Sequence, residues 1–154
     1  MRRILAAGLI AVLAGCTPPT AQSIIDYPYY ADTAALEKAA PLIVRARVDE
    51  TGEQDRHGLR TTLGTATVTA VAKGDVAPGD TVDIAFYGPA ADATPSTDLA
   101  GAEWVLLLET FPADPAVLIS GTQGAYAVRD GRAVRGGDNP VELSPATLRA
   151  LGLR

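Results

Sequence analysis

The 154 residues hold one histidine and one cysteine, so few side chains are equipped for nucleophilic or metal chemistry. His57 lies in the polar stretch Glu53-Gln54-Asp55-Arg56-His57-Gly58. No second histidine or free thiol exists to complete a zinc site or a Ser-His-Asp constellation, so neither chemistry is expected and His57 reads as a solvated loop residue. Asp75, Asp80 and Asp83 surround Pro78-Gly79, and Asp92 and Asp98 sit in a long Gly/Pro/Ala segment. Their oxygens suit calcium, but the spacing matches no calcium-loop signature, and turn chemistry accounts for Asp75 and Asp80. Glu103 and Glu109 flank Trp104 as a carboxylate pair of the kind that hydrolyses glycosides. Six residues apart on a strand rising about 3.3 Å per residue, they stand roughly 20 Å apart on one face, too far for that reaction. Trp104 is expected in the core. Gly74, Gly79 and Gly136-Gly137 lack the lysine-serine ending of a phosphate loop and read as turns. No catalytic, cofactor-binding or metal-ligating residue is therefore expected, and no cofactor.

The remaining reactive group is Cys16, and its context defines its chemistry. Met1-Arg2-Arg3 precedes an apolar run over residues 4–13, which ends at small residues, the layout of a secretory signal. As a helix the run would span only about 15 Å, half of a hydrocarbon core of about 30 Å, so it is an export address and not a membrane span. Leu13-Ala14-Gly15-Cys16 resembles the lipobox of bacterial lipoproteins. The resemblance implies cleavage before Cys16, a diacylglycerol on its thiol and an acyl chain on the new amine, which together give stable anchoring. The implied location is the extracytoplasmic face of the cell membrane, or the periplasmic face of the outer membrane in a Gram-negative cell.

Loss of residues 1–15 leaves 139 of the 154 residues and removes Arg2 and Arg3, taking the formal charge from −5 to −7. That is enough chain for one domain with its own core, and its acidity makes nucleic acid a poor partner. With the sole cysteine lipidated, no internal disulfide can form, so packing must supply the stability. Residues 16–30 carry Thr17-Pro18-Pro19-Thr20 and then Tyr27-Pro28-Tyr29-Tyr30 without periodicity, and read as a tether to a single domain over 31–154. Tyr27, Tyr29 and Tyr30 can dock on the domain, lie at the membrane interface or bind a partner, with docking the default. Together with Asp92 and Asp98 they are the candidate partner-binding residues.

The elements that position these groups are mostly strands. Asp32-Thr33 can cap a short helix over 34–40, stopped by Pro41. Residues 42–48 alternate, with Val44, Ala46 and Val48 on one face and Arg45, Arg47 and Asp49 on the other. A polar loop is expected over 51–60, then a long strand over 61–72. Pro78-Gly79 suits the centre of a type II turn. Residues 81–87 point Val82, Ile84 and Phe86 inward, and a long loop covers 88–101. Residues 103–109 are apolar on both faces, as in a central covered strand. Strands follow at 117–120 and 125–128, with an Asp130-Gly131 hairpin turn. Ser144-Pro145 opens a terminal helix that presents Leu148 and Leu151, ends at Gly152 and is expected over one barrel opening. About five or six twisted strands without a disulfide are best stabilised by closing the sheet.

Pro41-Leu42-Ile43-Val44-Arg45-Ala46-Arg47-Val48, Val71-Ala72-Lys73-Gly74-Asp75, Pro78-Gly79-Asp80-Thr81-Val82, Gly101-Ala102-Glu103-Trp104-Val105-Leu106-Leu107-Leu108 and Gln123-Gly124-Ala125-Tyr126-Ala127-Val128 follow in an order that resembles an uncharacterised domain of secreted bacterial proteins and lipoproteins. More distantly it is similar to the OB-type barrels of netrin-like modules and tissue inhibitors of metalloproteinases, which inhibit or bind other proteins. Their disulfide cysteines and metal-chelating amino-terminal cysteine are missing here, so no inhibitory mechanism carries over. The fold implied is mainly β, a small closed or partly open OB-like barrel with short N- and C-terminal helices. The function expected is a lipid-anchored, noncatalytic binding module for an envelope protein or small ligand. The competing class is a carboxylate enzyme or calcium-dependent module whose acids meet only in the fold, Asp92 and Asp98 near Asp75 or Asp83.

Overall fold

Alternation in the first long strand sets the architecture. In β1 (Leu42–Arg56) Leu42, Val44, Ala46 and Val48 are buried on one side, while Arg45 is half-buried and Arg47 exposed on the other. Three register irregularities, at 43/44, 45/46 and 48/50, bend β1 against β2 (Leu59–Lys73), the device by which one strand serves two walls of a barrel. The structure is a computed structural model and describes residues 27–56, 59–87 and 100–154. Cys16 with the signal segment, residues 17–26, His57, and the stretch bearing Asp92 and Asp98 lie outside the described residues.

The polar stretch expected as a loop over 51–60 is instead strand on both sides of residues 57 and 58, paired from Thr51↔Gly64 to Arg56↔Leu59. Thr51, Gly52, Glu53, Gln54 and Asp55 are exposed, so no apolar alternation marks this arm. Backbone pairing with β2 holds it, and such pairing is blind to side-chain polarity.

β3 (Thr81–Tyr87) pairs antiparallel with β2 and parallel with β5 (Ala116–Leu118). β4 (Glu103–Glu109) pairs antiparallel with β5 and β1. The ring β1-β2-β3-β5-β4-β1 is thus closed, a five-stranded OB-like barrel. Beyond it β6 (Ala125–Arg129) pairs with β4, and β7 (Arg132–Arg135) with β6. Asp130 and Gly131, both at positive φ (51° and 70°), form the two-residue turn between β6 and β7. Gly79 (φ 98°) and the Asp80 N–H to Ala77 carbonyl bond (3.1 Å) build the expected Pro78-Gly79 turn.

β4 is apolar on both faces because both are covered. Trp104, Leu106 and Leu108 face a barrel interior shared with Val44, Val68, Ile84 and Phe86. Val105 and Leu107 face outward into a second cluster with Leu36, Ile43, Tyr126, Leu151 and Leu153. Helices α1 (Thr33–Ala39) and α2 (Pro145–Ala150) start at Asp32 and Ser144, whose side chains accept the N–H of Ala35 and Thr147. The expected position of α2 over a barrel opening is corrected: α2 lies against β2, and Leu148, Leu151 and Leu153 join Leu36 of α1 in covering Val105 and Leu107 on the outer face of β4. No helix among the described residues is long and apolar enough to cross a membrane.

Candidate functional site

β5 and β6 run in line along one edge of β4, Leu118 opposite Leu108 and Ala125 opposite Leu106. The Ile119 N–H bonds to the Leu107 carbonyl and the Leu107 N–H to the Gly124 carbonyl, so residues 120–123 protrude from a nearly continuous edge. A bond from the Gly124 N–H to the Ser120 carbonyl (3.0 Å) closes the protrusion.

That protrusion grips the start of the described chain. The Gln123 side chain is fully buried, and its amide bonds both backbone groups of Tyr30: Oε1 accepts the N–H and Nε2 donates to the carbonyl, each at 2.8 Å. The amide thus substitutes for a strand neighbour, satisfying two backbone groups at once. Gly121 leaves room for the neighbouring ring, since a Cβ there would lie 2.9 Å from Tyr27 Cδ2. Tyr27 packs against the barrel interior cluster and Tyr30 against the outer one. Tyr29 stays outside, 67% exposed.

Between the docked segment and the barrel end lies a cleft of about 530 Å³. Tyr27, Tyr30, Tyr87 and Phe111 provide its aromatic lining. They come from three places: Tyr87 from the end of β3, Phe111 from the β4–β5 connection, and the other two from the docked segment. Pro115, Val117 and Ile119 add aliphatic wall. The size is that of a small-molecule site, and mostly apolar lining with a few charged groups is the usual composition of one. Phe111 is 47% exposed in the polar, proline-rich run Thr110-Phe111-Pro112-Ala113-Asp114-Pro115, where its ring has solvent on one side.

Burial pushes the Tyr27 phenol up to about 12, with the neighbouring Tyr87 acting in the same direction and a hydrogen bond to the Tyr87 backbone opposing. The Tyr27 hydroxyl therefore stays protonated and neutral across the physiological range. The charged groups of the cleft are Arg56, Glu109 and Asp114. Arg56 Nη2 lies 3.4 Å from Asp114 Oδ1, joining the hairpin arm to the β4–β5 connection. Glu109 is exposed and has no ion pair among the described residues.

The two glutamates of β4 are separated as the strand geometry demands. Glu103 bonds Arg45 (2.6 Å) and Thr69 (3.1 Å) on the outer wall, away from the cleft that Glu109 borders. Trp104 is buried in the barrel at 3% exposure. Asp83 accepts from Thr65 (3.0 Å), Asp80 accepts from the Ala77 N–H (2.8 Å), and Asp75 is exposed, so the candidate acids on the described residues are held apart in turns and ladders. Among the described residues no three of His, Cys, Asp and Glu cluster to hold a metal ion.

Of the candidate partner-binding residues, the structure brings Tyr27 and Tyr30 to the cleft and leaves Tyr29 outside it; Asp92 and Asp98 lie outside the described residues. Arg56, Tyr87, Glu109, Phe111 and Asp114 were missed as one site. The legible signal was Phe111, a large apolar residue stranded in a polar loop. No protein-family model matches the chain, and no curated protein matches it either.

Proposed function

We propose that the chain is an exported lipoprotein, anchored through a diacylglycerol on Cys16, whose OB-like barrel is a noncatalytic binding module with its ligand site in the aromatic cleft. The observation that carries the reading is the coincidence of cleft and tether. The segment leading from Cys16 supplies two of the cleft's aromatic rings and is clamped there by Gln123. Ten residues separate Cys16 from Tyr27. Even fully extended at about 3.3–3.6 Å per residue they span roughly 40 Å, so the cleft works close to the surface of an envelope membrane. A concave site of this size favours a small ligand over a second protein, which would need a broad surface.

Two measurements test this. Cys16→Ala is expected to abolish incorporation of labelled palmitate and to release the chain from the membrane fraction; an unchanged label overturns the anchor. In a screen of small apolar fragments by ligand-observed NMR on the full chain, hits are expected to compete for one site and to be lost in Phe111→Ala. Hits indifferent to Phe111 sink the cleft as the binding site.

A further inference from the structure

The cleft combines aromatic rings with a carboxylate that has no ion pair among the described residues, and that combination selects a ligand chemistry. Arg56 and Asp114 answer each other at 3.4 Å, which leaves Glu109 as the charge without a counterion among the described residues. Four rings line the same cleft, those of Tyr27, Tyr30, Tyr87 and Phe111. An aromatic face carries a negative quadrupole, so rings and carboxylate attract the same sign of charge. An anion would meet repulsion from both. A neutral apolar ligand would displace water from Glu109 and return nothing to its charge. A bare metal ion would lack its set of oxygen ligands, since no metal-binding cluster forms among the described residues. A primary ammonium can pair with Glu109 but gives up a tightly held hydration shell before it can rest on a ring. An alkylated ammonium is weakly hydrated and apolar on its surface, and recognition of such groups by aromatic cages is a common use of the cation–π interaction.

We infer that the cleft binds a free, small organic cation carrying an alkylated ammonium group, the ammonium lying among the tyrosine and Phe111 rings with Glu109 as its counterion. This rests on the reading of the cleft as a ligand site. A volume of about 530 Å³ exceeds what the ammonium group alone would fill, so the body of the ligand extends along Pro115, Val117 and Ile119. The binding is reversible and involves no covalent step.

The test compares choline with its uncharged carbon isostere, 3,3-dimethylbutan-1-ol, by saturation-transfer NMR and equilibrium dialysis on the full chain extracted in a nonionic detergent. Choline is expected to bind about tenfold more tightly than the isostere, an effect between those of an exposed and a fully desolvated cation–π site. Glu109→Gln is expected to reduce the choline preference severalfold, leaving the part that the rings supply, and to leave the isostere unchanged. Glu53→Gln, which removes the same charge from the exposed hairpin arm, is expected to leave the preference intact. Phe111→Ala weakens both probes. Equal binding of the two probes that Phe111→Ala abolishes overturns the cation inference and leaves the binding-module reading standing. Failure of both probes to bind up to the solubility of the isostere overturns the inference, and the fragment screen then decides the broader reading. A choline preference undiminished by Glu109→Gln also overturns it.

Discussion

Glu103 and Glu109 close the two ends of the same strand, yet they have different fates. At the first end a carboxylate is answered: Arg45 and Thr69 bond Glu103, and beside it Arg47 and Thr67 bond Asp49. The hydrogen bond from Arg45 holds the Glu103 carboxyl below its usual range against the opposing effect of burial; Thr67, then Arg47, do the same for Asp49. At the second end Glu109 borders an aromatic cleft with no ion pair among the described residues. The lesson is that polar groups in this barrel divide by whether neighbouring strands offer them partners. Across β1, β2 and β4 the cross-strand registers do, and the result is structure. At the cleft the neighbours are rings, and the result is a site.

The largest effect is expected at the Gln123 clamp. Gln123→Leu removes two bonds and leaves the Tyr30 N–H and carbonyl unpaired in a half-buried setting, so a loss of about 2–4 kcal/mol is expected in urea unfolding. Hydrogen exchange at Tyr30 should accelerate at the same time. Unchanged exchange would show that the segment is held by its rings alone. Gly121→Val is next, since its Cβ would press on Tyr27 at 2.9 Å. Overpacking of this kind costs about 1–3 kcal/mol, and here the strain should also weaken fragment binding in the cleft.

The answered end gives a smaller effect with a definite pH dependence. The folded-state pKa of Glu103 lies below its unfolded value, so its contribution is complete above the ordinary glutamate range, near about 4.3, and is lost as pH falls through the folded value. Glu103→Gln should cost about 0.5–1 kcal/mol at pH 7, a modest value for a pair with a quarter of each side chain exposed, and much less at pH 3. Parallel losses at both pH values would remove the ion pair from the account. Glu109→Gln should shift stability by less than about 0.5 kcal/mol at either pH, as an unpartnered exposed group does. A large loss there would mean that Glu109 is structural, and the contrast between the two ends would collapse.

Much of the local structure was legible because its causes are local. Asp32 and Ser144 cap helices with their own side chains, Pro78-Gly79 and Asp130-Gly131 carry the dihedrals their turns require, and the two-faced apolar run in β4 announced its burial. The hairpin arm through Arg56 was not legible, since its residues are polar and it is a strand only because β2 lies alongside. Gln123 gave no sign of its role: an amide mid-chain looks the same whether it meets water or a backbone.

Alternation and turn chemistry by themselves determined that the chain is mainly β, that β4 is central and that a short helix lies near each end of the domain. The tertiary structure decided which strands meet, that α2 covers a wall, and that residues from four separate stretches of the chain share one cleft. The reason is chain separation. The bonds that made the decisions join Arg45 to Glu103 and Arg56 to Asp114 across 58 residues, and Tyr30 to Gln123 across 93. Contacts so distant leave no periodicity behind, and only the closing of the barrel brings their partners within reach.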